Sequence, residues 1–597
     1  MSTPTPLTAN TSLVSFSIKV EGKEIEDTYQ VESIDTWVAV NKVPKAKVVI
    51  FDGSAAKRDF PLSNLKTFLP GSKIEIAAGY NQKNTVIFKG IIVKQGIEID
   101  QTQGSKLVID ITDQAIKMTL ERKNAIFEKI KDSALIEKLI GDSSLAKDVA
   151  PTNVVHEDIV QYYASDWDLM LMRAEMNGFI VIADGGKVTV NKPDTQQPPV
   201  LLLEYGVSIL DLQAEMDAAT QFAPSAIKSY TWDPASQKLI DSGPGTVNVK
   251  EQGNVPSGQL AKVFNARKFN QQTGALERAA LQDWSSGELL KSKMSKILGH
   301  VRFQGSAKAQ TGKMIQLAGL GARFNGAAFI GGVHQSITDG KWLTTVGFGL
   351  SANWFASEAP NIEAPEASGQ LPAISGMQTG IVKQVSKDPG GEFRVLVRLP
   401  LLQDNAKGVW ARLATFYGSN KIGAVFYPEV NDEVIVGFMN QDPRYPVILG
   451  SVYSKKLPPP YPPDDKNTKK AIVTKGKLEI FFDDLNKIIE IKTPGKHTIK
   501  MDDKTGAISI KDSNRNTVSL SKGGIALDSG SNIKITAKGN ITIQAGANLA
   551  LSAKANASIE GIQVANNAKA KFSAKGALSE VTASGMLTVR GALVKIN

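Results

Sequence analysis

The sequence predicts a mainly β protein in three parts: an α+β N-terminal region of barrel-type domains, a small closed barrel, and a C-terminal β-helix in which three identical chains intertwine. Three observations support this prediction. Short alternating apolar segments are separated by turn residues, two proline-rich stretches divide the chain, and the last part repeats every eight residues. At 597 residues, the chain is also too long for a single hydrophobic core.

The composition is that of a globular protein, and it excludes several kinds of site. Apolar residues make up 42% and charged residues 21% of the chain. There is no cysteine, which excludes disulfides and thiolate sites, and the four histidines are far apart in sequence. We therefore expect no cofactor and no bound metal. Residues 1–10 lack the apolar core of a signal peptide, so we expect synthesis in the cytoplasm without one.

The N-terminal region, residues 1–355, combines strands with a few helices. Alternating or β-branched runs predict the strands Ser15–Val20, Lys47–Phe51, Lys73–Ala78, Val86–Ile92 and Lys106–Thr112. Helices are predicted at Ser133–Ile140, where Gly141 would end the helix, at Asp166–Met176, and at Gly287–Leu298. Ser165 precedes the second helix as its N-cap, and Asn177-Gly178 ends it. The pattern predicts two barrel-like subdomains with a helical insert.

Residues 374–454 form a separate small domain between a linker at 356–373 and a proline-rich connector at 455–470. Its predicted strands are Gly380–Val385, Phe393–Leu399, Val409–Thr415, Glu433–Phe438 and Val447–Val452. Asp388 begins a strong Pro-Gly-Gly turn, after which Phe393, Val395, Val397 and Leu399 should share one face. Five short strands in about 80 residues favour an OB-fold.

The C-terminal part, residues 471–597 (the needle), carries the repeat. Four octads run from Ile525 to Asn556, with aliphatic residues at the first and third positions and Asn at the eighth. We expect a short strand and a tight turn in each, with Asn and Gly adopting unusual backbone angles. The first and third side chains share one face and form the predicted needle core: Ile525, Leu527, Ile533, Ile535, Ile541, Ile543, Leu549 and Leu551.

A single ribbon of such strands cannot enclose its apolar face, and it leaves backbone groups unpaired along both edges. Three chains wound together would bury the aliphatic side chains along a common axis and pair every edge. The alternative is a single-chain β-solenoid, although such coils usually need about 20 residues or more per turn. The needle holds 18 basic and 10 acidic residues but only three aromatics, which favours solvated outward positions over nucleic-acid binding.

No catalytic motif is found, so we expect no catalytic residue and no enzyme. The Walker A, GxSxG and HExxH patterns are all absent from the sequence. Asp166 and Asp168 could be paired carboxylates, but beside Ser165 they are better explained as first-turn helix residues. His156 and His300 are most simply surface or core residues, and His497 has no second histidine nearby.

Several segments resemble a known family. The middle domain contains Gly380-Ile-Val, Trp410-Ala-Arg, the run from Pro428 to Phe438 and the run from Asp442 to Tyr453. Residues 162–179 (YYASDWDLMLMRAEMNGF) and the terminal octads add to the likeness. Together they resemble VgrG-type spike proteins of contractile injection systems, which comprise type VI secretion systems, phage tails and extracellular phage-tail-like particles.

The resemblance implies a structural homotrimer in which residues 1–355 form the tail hub. The hub ring would cap the tail tube, the OB domains would form a collar, and the needle would puncture the target envelope on sheath contraction. It implies the tail tube protein, baseplate proteins and effector cargo as partners, with transient contact to the target membrane and none to nucleic acid. The protein would be assembled in the baseplate of the particle and delivered outside the cell or into the target.

The last residues of the needle form a separate candidate site. No lysozyme-like domain lies between Tyr453 and Ala471, and no fused effector is expected after the needle. No His-x-His that would bind a metal is found near the end. By the same resemblance, a separate PAAR-type tip protein is expected to dock on the apolar residues Leu587, Val589, Leu593, Val594 and Ile596.

Two other functions remain as alternatives at this point. The chain could be an OB-fold nucleic-acid-binding protein with a trimerising basic tail, although its middle strands lack interleaved aromatics. It could also be a tail-fibre enzyme that cleaves polysaccharide on a β-helix. That activity would need carboxylates clustered on one face, and the octads carry only Asp528 before Glu560.

Overall fold

A computed structural model describes residues 3–7, 13–102, 104–274, 276–402 and 407–596. The chain divides into two units, Met1–Val452 and Tyr453–Asn597. The signal-peptide prediction rests partly on residues 1, 2 and 8–10, which lie outside the described residues, as does Asn597 at the end of the needle.

The mainly β prediction is confirmed. The strands of the hub region (residues 1–355) are β1 (Val14–Val20), β2 (Lys23–Glu24), β3 (Val31–Ala39), β4 (Lys45–Phe51), β5 (Lys73–Tyr80), β6 (Lys83–Asp100), β7 (Gly104–Thr112), β8 (Arg122–Lys131), β9 (Ala146–Val149), β10 (Val155–Ser165), β11 (Ile180–Asp184), β12 (Lys187–Asn191), β13 (Leu201–Glu204), β14 (Ile209–Met216), β15 (Ile227–Asp233), β16 (Lys238–Asp241), β17 (Lys268–Gln272), β18 (Ile297–Gln304), β19 (Met314–Ala318), β20 (Gly326–Thr338) and β21 (Lys341–Phe348).

Helices connect these strands. The α-helices of the first unit are α1 (Asp132–Asp142), α2 (Asp166–Met176), α3 (Ser257–Phe264), α4 (Arg278–Met294), α5 (Gly321–Phe324) and α6 (Phe355–Glu358). Short 3₁₀ turns lie at Lys66–Phe68, Gln114–Thr119, Pro224–Ala226, Glu366–Gly369 and Met439–Gln441.

One 13-stranded sheet runs through the hub region in the order β14-β18-β21-β20-β3-β4-β7-β6-β5-β1-β2, and β19 and β13 extend it from β20. Strict alternation fixes which face is buried: in β4, Ala46, Val48 and Ile50 point inward. The strands β1 to β7 enclose one core, and a second core lies among β13, β18, β19, β20 and β21. Helices α1 and α2 pack on β11 and β12 around a third.

The predicted strands of the hub region are present, but the bounds of two helices were wrong. Gly141 lies inside α1, and Ser144, with φ of 56°, takes the left-handed conformation after the helix instead. The third predicted helix begins at Arg278 rather than Gly287 and ends at Met294. Residues from Ile297 onward alternate with period two and pair with β14 and β21, so they form a strand rather than more helix.

The middle domain is the predicted OB-type barrel. Its strands are β22 (Gln378–Gln384), β23 (Val395–Arg398), β24 (Val409–Leu413), β25 (Gly418–Ser419), β26 (Ile422–Gly423), β27 (Glu433–Phe438) and β28 (Pro446–Ser451). The barrel closes in the order β22-β23-β24-β28-β27, and β24 and β28 pair in parallel. Alternate residues fill its core, including Val382, Val395, Val397 and Val436.

The prediction that Phe393 shares a face with Val395, Val397 and Leu399 was wrong, since those three lie in the barrel core and Phe393 does not. Phe393 precedes β23, has φ of 58° and is 80% exposed. The reason is the Asp388 turn, whose carboxylate accepts hydrogen bonds from the Arg394 backbone amide at 3.2 Å and the Arg394 guanidinium at 2.9 Å. The turn therefore extends to residue 394. Hydrogen bonds from Arg394 and from backbone amides hold the pKa of Asp388 well below its usual value.

Residues 353–373, which include the predicted linker, are anchored to the hub region by buried charges. Glu175 at the end of α2 is buried; one carboxylate oxygen pairs with Lys291 Nζ at 2.7 Å and the other accepts the Phe355 amide at 2.7 Å. Trp354 Nε1 donates to the buried Glu288 at 2.6 Å. The start of this segment is therefore clamped rather than loose. We call these contacts the Glu175 clamp.

We expect Glu175→Ala to lower the free energy of unfolding of the first unit by about 3–5 kcal/mol, because it leaves the largely buried Lys291 without its carboxylate and the Phe355 amide without its acceptor. The matched control is Lys138→Ala, which removes an exposed Lys138–Asp142 pair on α1 and should cost about 0.5 kcal/mol or less. Urea unfolding of the full chain measures both values. Equal losses in the two variants would show that the Glu175 clamp adds nothing to stability.

The second unit contains one antiparallel meander. Its strands, paired in sequence order, are β29 (Lys469–Val473), β30 (Glu479–Asp483), β31 (Ile488–Lys492), β32 (Thr498–Asp502), β33 (Ala507–Lys511), β34 (Thr517–Ser521) and β35 (Gly524–Asp528). Left-handed residues such as Lys487, Lys496 and Arg515 lie in the turns between strands. The proline-rich connector contacts this sheet, since the Tyr461 ring packs 5.0 Å from Phe481 and its hydroxyl donates to Glu479.

The octads continue further than the sequence analysis predicted. Sharp bends occur at 530–531, 538–539, 546–547, 554–555, 562, 569–570, 577–578, 584–585 and 592–593, every seven or eight residues. The expected unusual angles at the octad Asn and Gly residues were wrong: Gly530, Gly539, Gly546 and the four Asn residues are absent from the described positive-φ residues. A bend with negative φ changes the chain direction without a left-handed residue.

Candidate functional site

The second unit has an open apolar surface in place of a core. From Tyr453 to Ile596, all of which the structure describes, not one residue is buried. By contrast, the first unit holds dozens of buried aliphatic and aromatic side chains. A folded unit of this length normally buries well over half of the surface of its unfolded chain. The second unit therefore leaves most of its apolar surface open.

The structure places all eight predicted needle-core residues on this open surface. Their side chains are between 52% (Ile541) and 79% (Leu551) exposed. Ile525 and Leu527 lie on β35, and the other six lie beyond it. Within the described residues 529–596, the chain forms no strand pair with itself. The aliphatic side chains of this segment therefore stay exposed, and its backbone joins no strand ladder within one chain.

The meander and the first octads form a shallow groove of about 610 Å³. Its apolar residues include Ile491, Ile499, Ile510, Leu527 and Ile533, and polar residues such as His497 and Asp512 line it beside them. Thr493 Oγ1 also lines it, shielded from solvent and without a hydrogen-bond partner among the described atoms. An apolar groove with a polar border suits a protein surface.

The energy available from this surface is large. Fully burying eight aliphatic side chains would contribute on the order of 12–24 kcal/mol per chain as an upper limit. This is as large as the whole net stability of a typical domain, about 5–15 kcal/mol. Part of this gross gain is offset by the entropy lost on association, so burial of these side chains favours association without fixing the net stability of the unit.

The predicted tip-docking residues are also exposed. Leu587, Val589, Leu593 and Val594 are 47–77% exposed, and Ile596 is 90% exposed. The bend at 592–593 separates Leu587 and Val589 from Val594 and Ile596. The structure therefore leaves these side chains available for a partner, which stays a prediction.

The polar residues that were considered as candidate catalytic or metal-binding groups make structural contacts instead. The carboxylate of Asp166 is buried, pairs with Lys123 at 2.7 Å and accepts from Gln161 at 2.9 Å. Ser165 caps α2 by accepting the Asp168 amide at 3.1 Å, as predicted. His300 lies at an exposed position 3.8 Å from Asp211.

Sequence reasoning missed one buried polar cluster, formed by Asp132, His156, Arg173 and Asn177. The Asp132 carboxylate contacts His156 Nε2 at 3.1 Å, Arg173 Nε at 2.6 Å and Asn177 Nδ2 at 2.8 Å. Burial alone would raise the pKa of Asp132, but the hydrogen bonds from His156, Arg173 and Asn177 outweigh it and lower the pKa. These residues are up to 45 positions apart, so no local motif signals the cluster.

The described residues offer neither a metal site nor a membrane-spanning helix. They contain no group of three or more His, Asp or Glu side chains arranged to hold a metal ion. Among the helices that the structure describes, none combines the length and the apolar character needed to cross a bilayer.

Comparison with known proteins identifies the parts of the chain. Residues 10–339, more than half of the chain, match the family described as the Alg8 N-terminal domain. Residues 378–453 match the type VI secretion system/phage-baseplate injector OB domain, and residues 488–548 match the phage baseplate V C-terminal trimerisation domain.

Individual relatives match shorter stretches. The type VI secretion system spike protein VgrG5 of Pseudomonas aeruginosa is 30% identical over 133 residues, which are 21% of this chain and 16% of the relative. VgrG3 of Vibrio cholerae is 35% identical over 80 residues, 13% of this chain and 8% of the relative. The matches thus span less than a fifth of the length of these relatives.

Among solved structures, the 43 kDa tail protein of prophage MuSo2 from Shewanella oneidensis is 10% identical, with a TM-score of 0.42, over 57% of this chain and 99% of that one. The chain belongs to the Alg8 N-terminal domain family, and its resemblance to VgrG-type spike proteins is confirmed by the matched OB and trimerisation domains and by the VgrG relatives.

Proposed function

We propose that this chain is the structural, non-enzymatic homotrimeric spike and hub of a contractile injection system. The hub region (1–355) caps the tail tube, and the needle (471–597) punctures the target envelope when the sheath contracts. The observation that carries the proposal is that the matched trimerisation segment lies in the stretch Tyr453–Ile596, which the structure describes and in which no residue is buried. The names of the relatives, which are spike proteins, support the same role.

The two halves of the needle would associate in different ways. From Lys469 to Asp528 each chain pairs its strands with itself, so three meanders pack their apolar faces together. From residue 529 onward the strands have no partner in their own chain, so they pair with the neighbouring chains. A shaft of this kind has every backbone group bonded along its length, which makes it stiff enough to transmit thrust.

The remaining partners and the location follow from this role. The tail tube protein and the baseplate proteins would contact the hub region, effector cargo would travel with the spike, and the needle would touch the target membrane only transiently. The chain would be made in the cytoplasm and leave with the particle. The segments 356–373 and 455–470 would join the hub, OB domain (374–454) and needle.

We expect Ile535→Asp to abolish trimers of the purified full chain, because it places three carboxylates against one another on the axis, each at a cost of several kcal/mol. The matched control is Thr536→Lys, at the next position on the opposite face of the strand, which should leave the trimer intact. Multi-angle light scattering measures the mass of each. A trimeric Ile535→Asp chain would contradict the proposed needle core.

The same pair of variants tests the function in assembled particles. Particles made with the Thr536→Lys chain should show a full needle below the tube in electron micrographs and should remain active. Those made with Ile535→Asp should lack an ordered needle and fail to kill or inject. Active particles with a disordered needle would contradict the piercing role.

A PAAR-type tip protein is the proposed partner of the needle end. Leu593→Ser together with Ile596→Ser should weaken binding of the purified tip protein at least ~10-fold, because apolar anchor residues dominate such contacts. Lys595→Ser, between the two, is the control and should bind normally. Isothermal titration calorimetry measures the affinity of each variant for the tip protein. Failure of the unaltered trimer to bind the tip protein would refute this part of the proposal.

A further inference from the structure

A small sheet in the hub region carries its large side chains on the face that no helix covers. Strands β16, β15 and β17 form this three-stranded sheet, and α4 packs against β15 and β16. In a sheet covered by a helix on one side, large apolar residues normally face the helix and polar residues face water. In this sheet the arrangement is reversed.

Small polar residues form the face toward α4. Ser229 and Thr231 of β15 are fully buried, and Asn270 of β17 is nearly so. The Ser285 hydroxyl of α4 lies 2.8 Å from the hydroxyls of both Ser229 and Ser242. Asn270 Nδ2 also donates to Ser229 Oγ, at 3.3 Å. This hydrogen-bond network holds the sheet on α4 without help from the larger side chains.

The opposite face presents aromatic and aliphatic side chains to solvent. Trp232 is 41%, Phe269 48% and Leu239 68% exposed, and Tyr230 is half-buried. The strand register brings them together, since Trp232 pairs with Leu239 between β15 and β16. The ring centroids of Tyr230 and Phe269 are 5.6 Å apart. We call these four residues the aromatic face.

Polar side chains border the aromatic face on the same side of the sheet. Lys228 Nζ pairs with the Asp241 carboxylate at 2.9 Å, so the two charges cancel. Gln271 lies beside Tyr230 in the register of β15 and β17 and is exposed. Its amide forms no hydrogen bond with any residue that the structure describes. The surface therefore combines open aromatic rings, available hydrogen-bonding groups and no net charge.

These properties do not suit a nucleic acid or a protein. A phosphodiester chain needs several unpaired basic side chains, and the one lysine on this face is paired. The exposed parts of Trp232, Leu239 and Phe269 add up to roughly 300 Å². A standard protein interface covers ~800 Å² per partner. A protein would also take the Lys228–Asp241 pair out of water, which is unfavourable.

An uncharged sugar ring fits both parts of the surface. The C–H bonds on one side of a pyranose ring form an apolar area, which packs on the electron-rich face of an aromatic ring. The hydroxyl groups lie around the rim of the sugar, where carboxylate and amide groups can form hydrogen bonds with them. These bonds leave the border of the aromatic face in contact with water.

We propose that the aromatic face binds a neutral polysaccharide, with sugar rings packed on Trp232 and Phe269 and hydroxyl groups bonded to Gln271 and Asp241. The site lies within the first unit and needs no second copy, so the inference does not depend on the trimer proposed above. In an injection particle, it would give the hub region a contact with envelope polysaccharide that is separate from the contact made by the needle.

Isothermal titration calorimetry of the full-length chain with chitohexaose, cellohexaose and maltohexaose tests this site. At least one of them should bind with a Kd of roughly 1 mM or tighter. Trp232→Ala together with Phe269→Ala should weaken that binding at least ~10-fold, because aromatic anchors dominate such contacts. Tyr205→Ala, which removes a 68% exposed aromatic side chain elsewhere in the hub region, is the matched control and should bind normally.

A single polar change makes the test independent of the aromatic pair. Gln271→Ala should weaken binding of the same sugar about three-fold or more, since it removes one hydrogen bond. Its thermal unfolding should match that of the unaltered chain, because the side chain is exposed.

Three results would overturn the proposal. The first is that none of the sugars binds at concentrations up to roughly 10 mM. The second is that the Trp232→Ala and Phe269→Ala chain binds as tightly as the unaltered one. The third is that oligothymidylate binds more tightly than any sugar and loses its binding in the same double variant, which would assign the face to single-stranded nucleic acid. Light scattering of the same samples tests the trimer separately, so either proposal can fail alone.

Discussion

The apolar face of the C-terminal unit cannot be buried by one chain, and the rest of the molecule depends on this constraint. Each of the four octads supplies only two aliphatic side chains to the shared face, and residues 529–596 form no strand pair within the chain. In the proposed trimer, the other copies supply both the core and the missing strand partners. The single chain is thus a complete fold from its hub region to its OB barrel and an incomplete one thereafter.

The hub region shows how the complete part is organised. Buried charges there are paired and hydrogen-bonded, as in the Asp132 cluster and the Glu175 clamp, and they lie where helices meet strands or where the chain leaves for the OB domain. Paired buried ions add little to stability compared with apolar packing, but they allow few alternative geometries. This suits segments whose direction must be fixed.

Local sequence patterns predicted many of the strands and helices correctly. They failed where contacts with residues elsewhere in the sequence determine the conformation. The α2 helix was predicted to the residue because Ser165 and Asn177-Gly178 carry its boundaries within the sequence. Phe393 was misassigned because the apolar alternation of the strand includes it in the sequence. In the structure it still belongs to the turn that the Asp388 carboxylate stabilises by accepting the Arg394 amide. The Asp132 cluster left no signal, since its members come from α1, α2 and β10.

The octads show the same limit in another form. Ile525 to Leu551 repeat so regularly that their shared face was evident, whereas the later bends, where Val564, Phe572 and Val581 replace the regular pairs, were visible only in three dimensions. Which surface those side chains meet depends on other chains, and a single sequence contains that information only indirectly.

The unpaired stretch after Asp528 also has a kinetic consequence. In the proposed trimer the strands of the shaft come from three molecules, so the rate of assembly depends on their encounter and should fall steeply on dilution. Until that encounter, exposed strand edges and aliphatic rows invite wrong pairings. If the folded hub regions and barrels associate first, they bring the three C-terminal segments together in register. Strand pairing can then proceed from that end of the needle to the other.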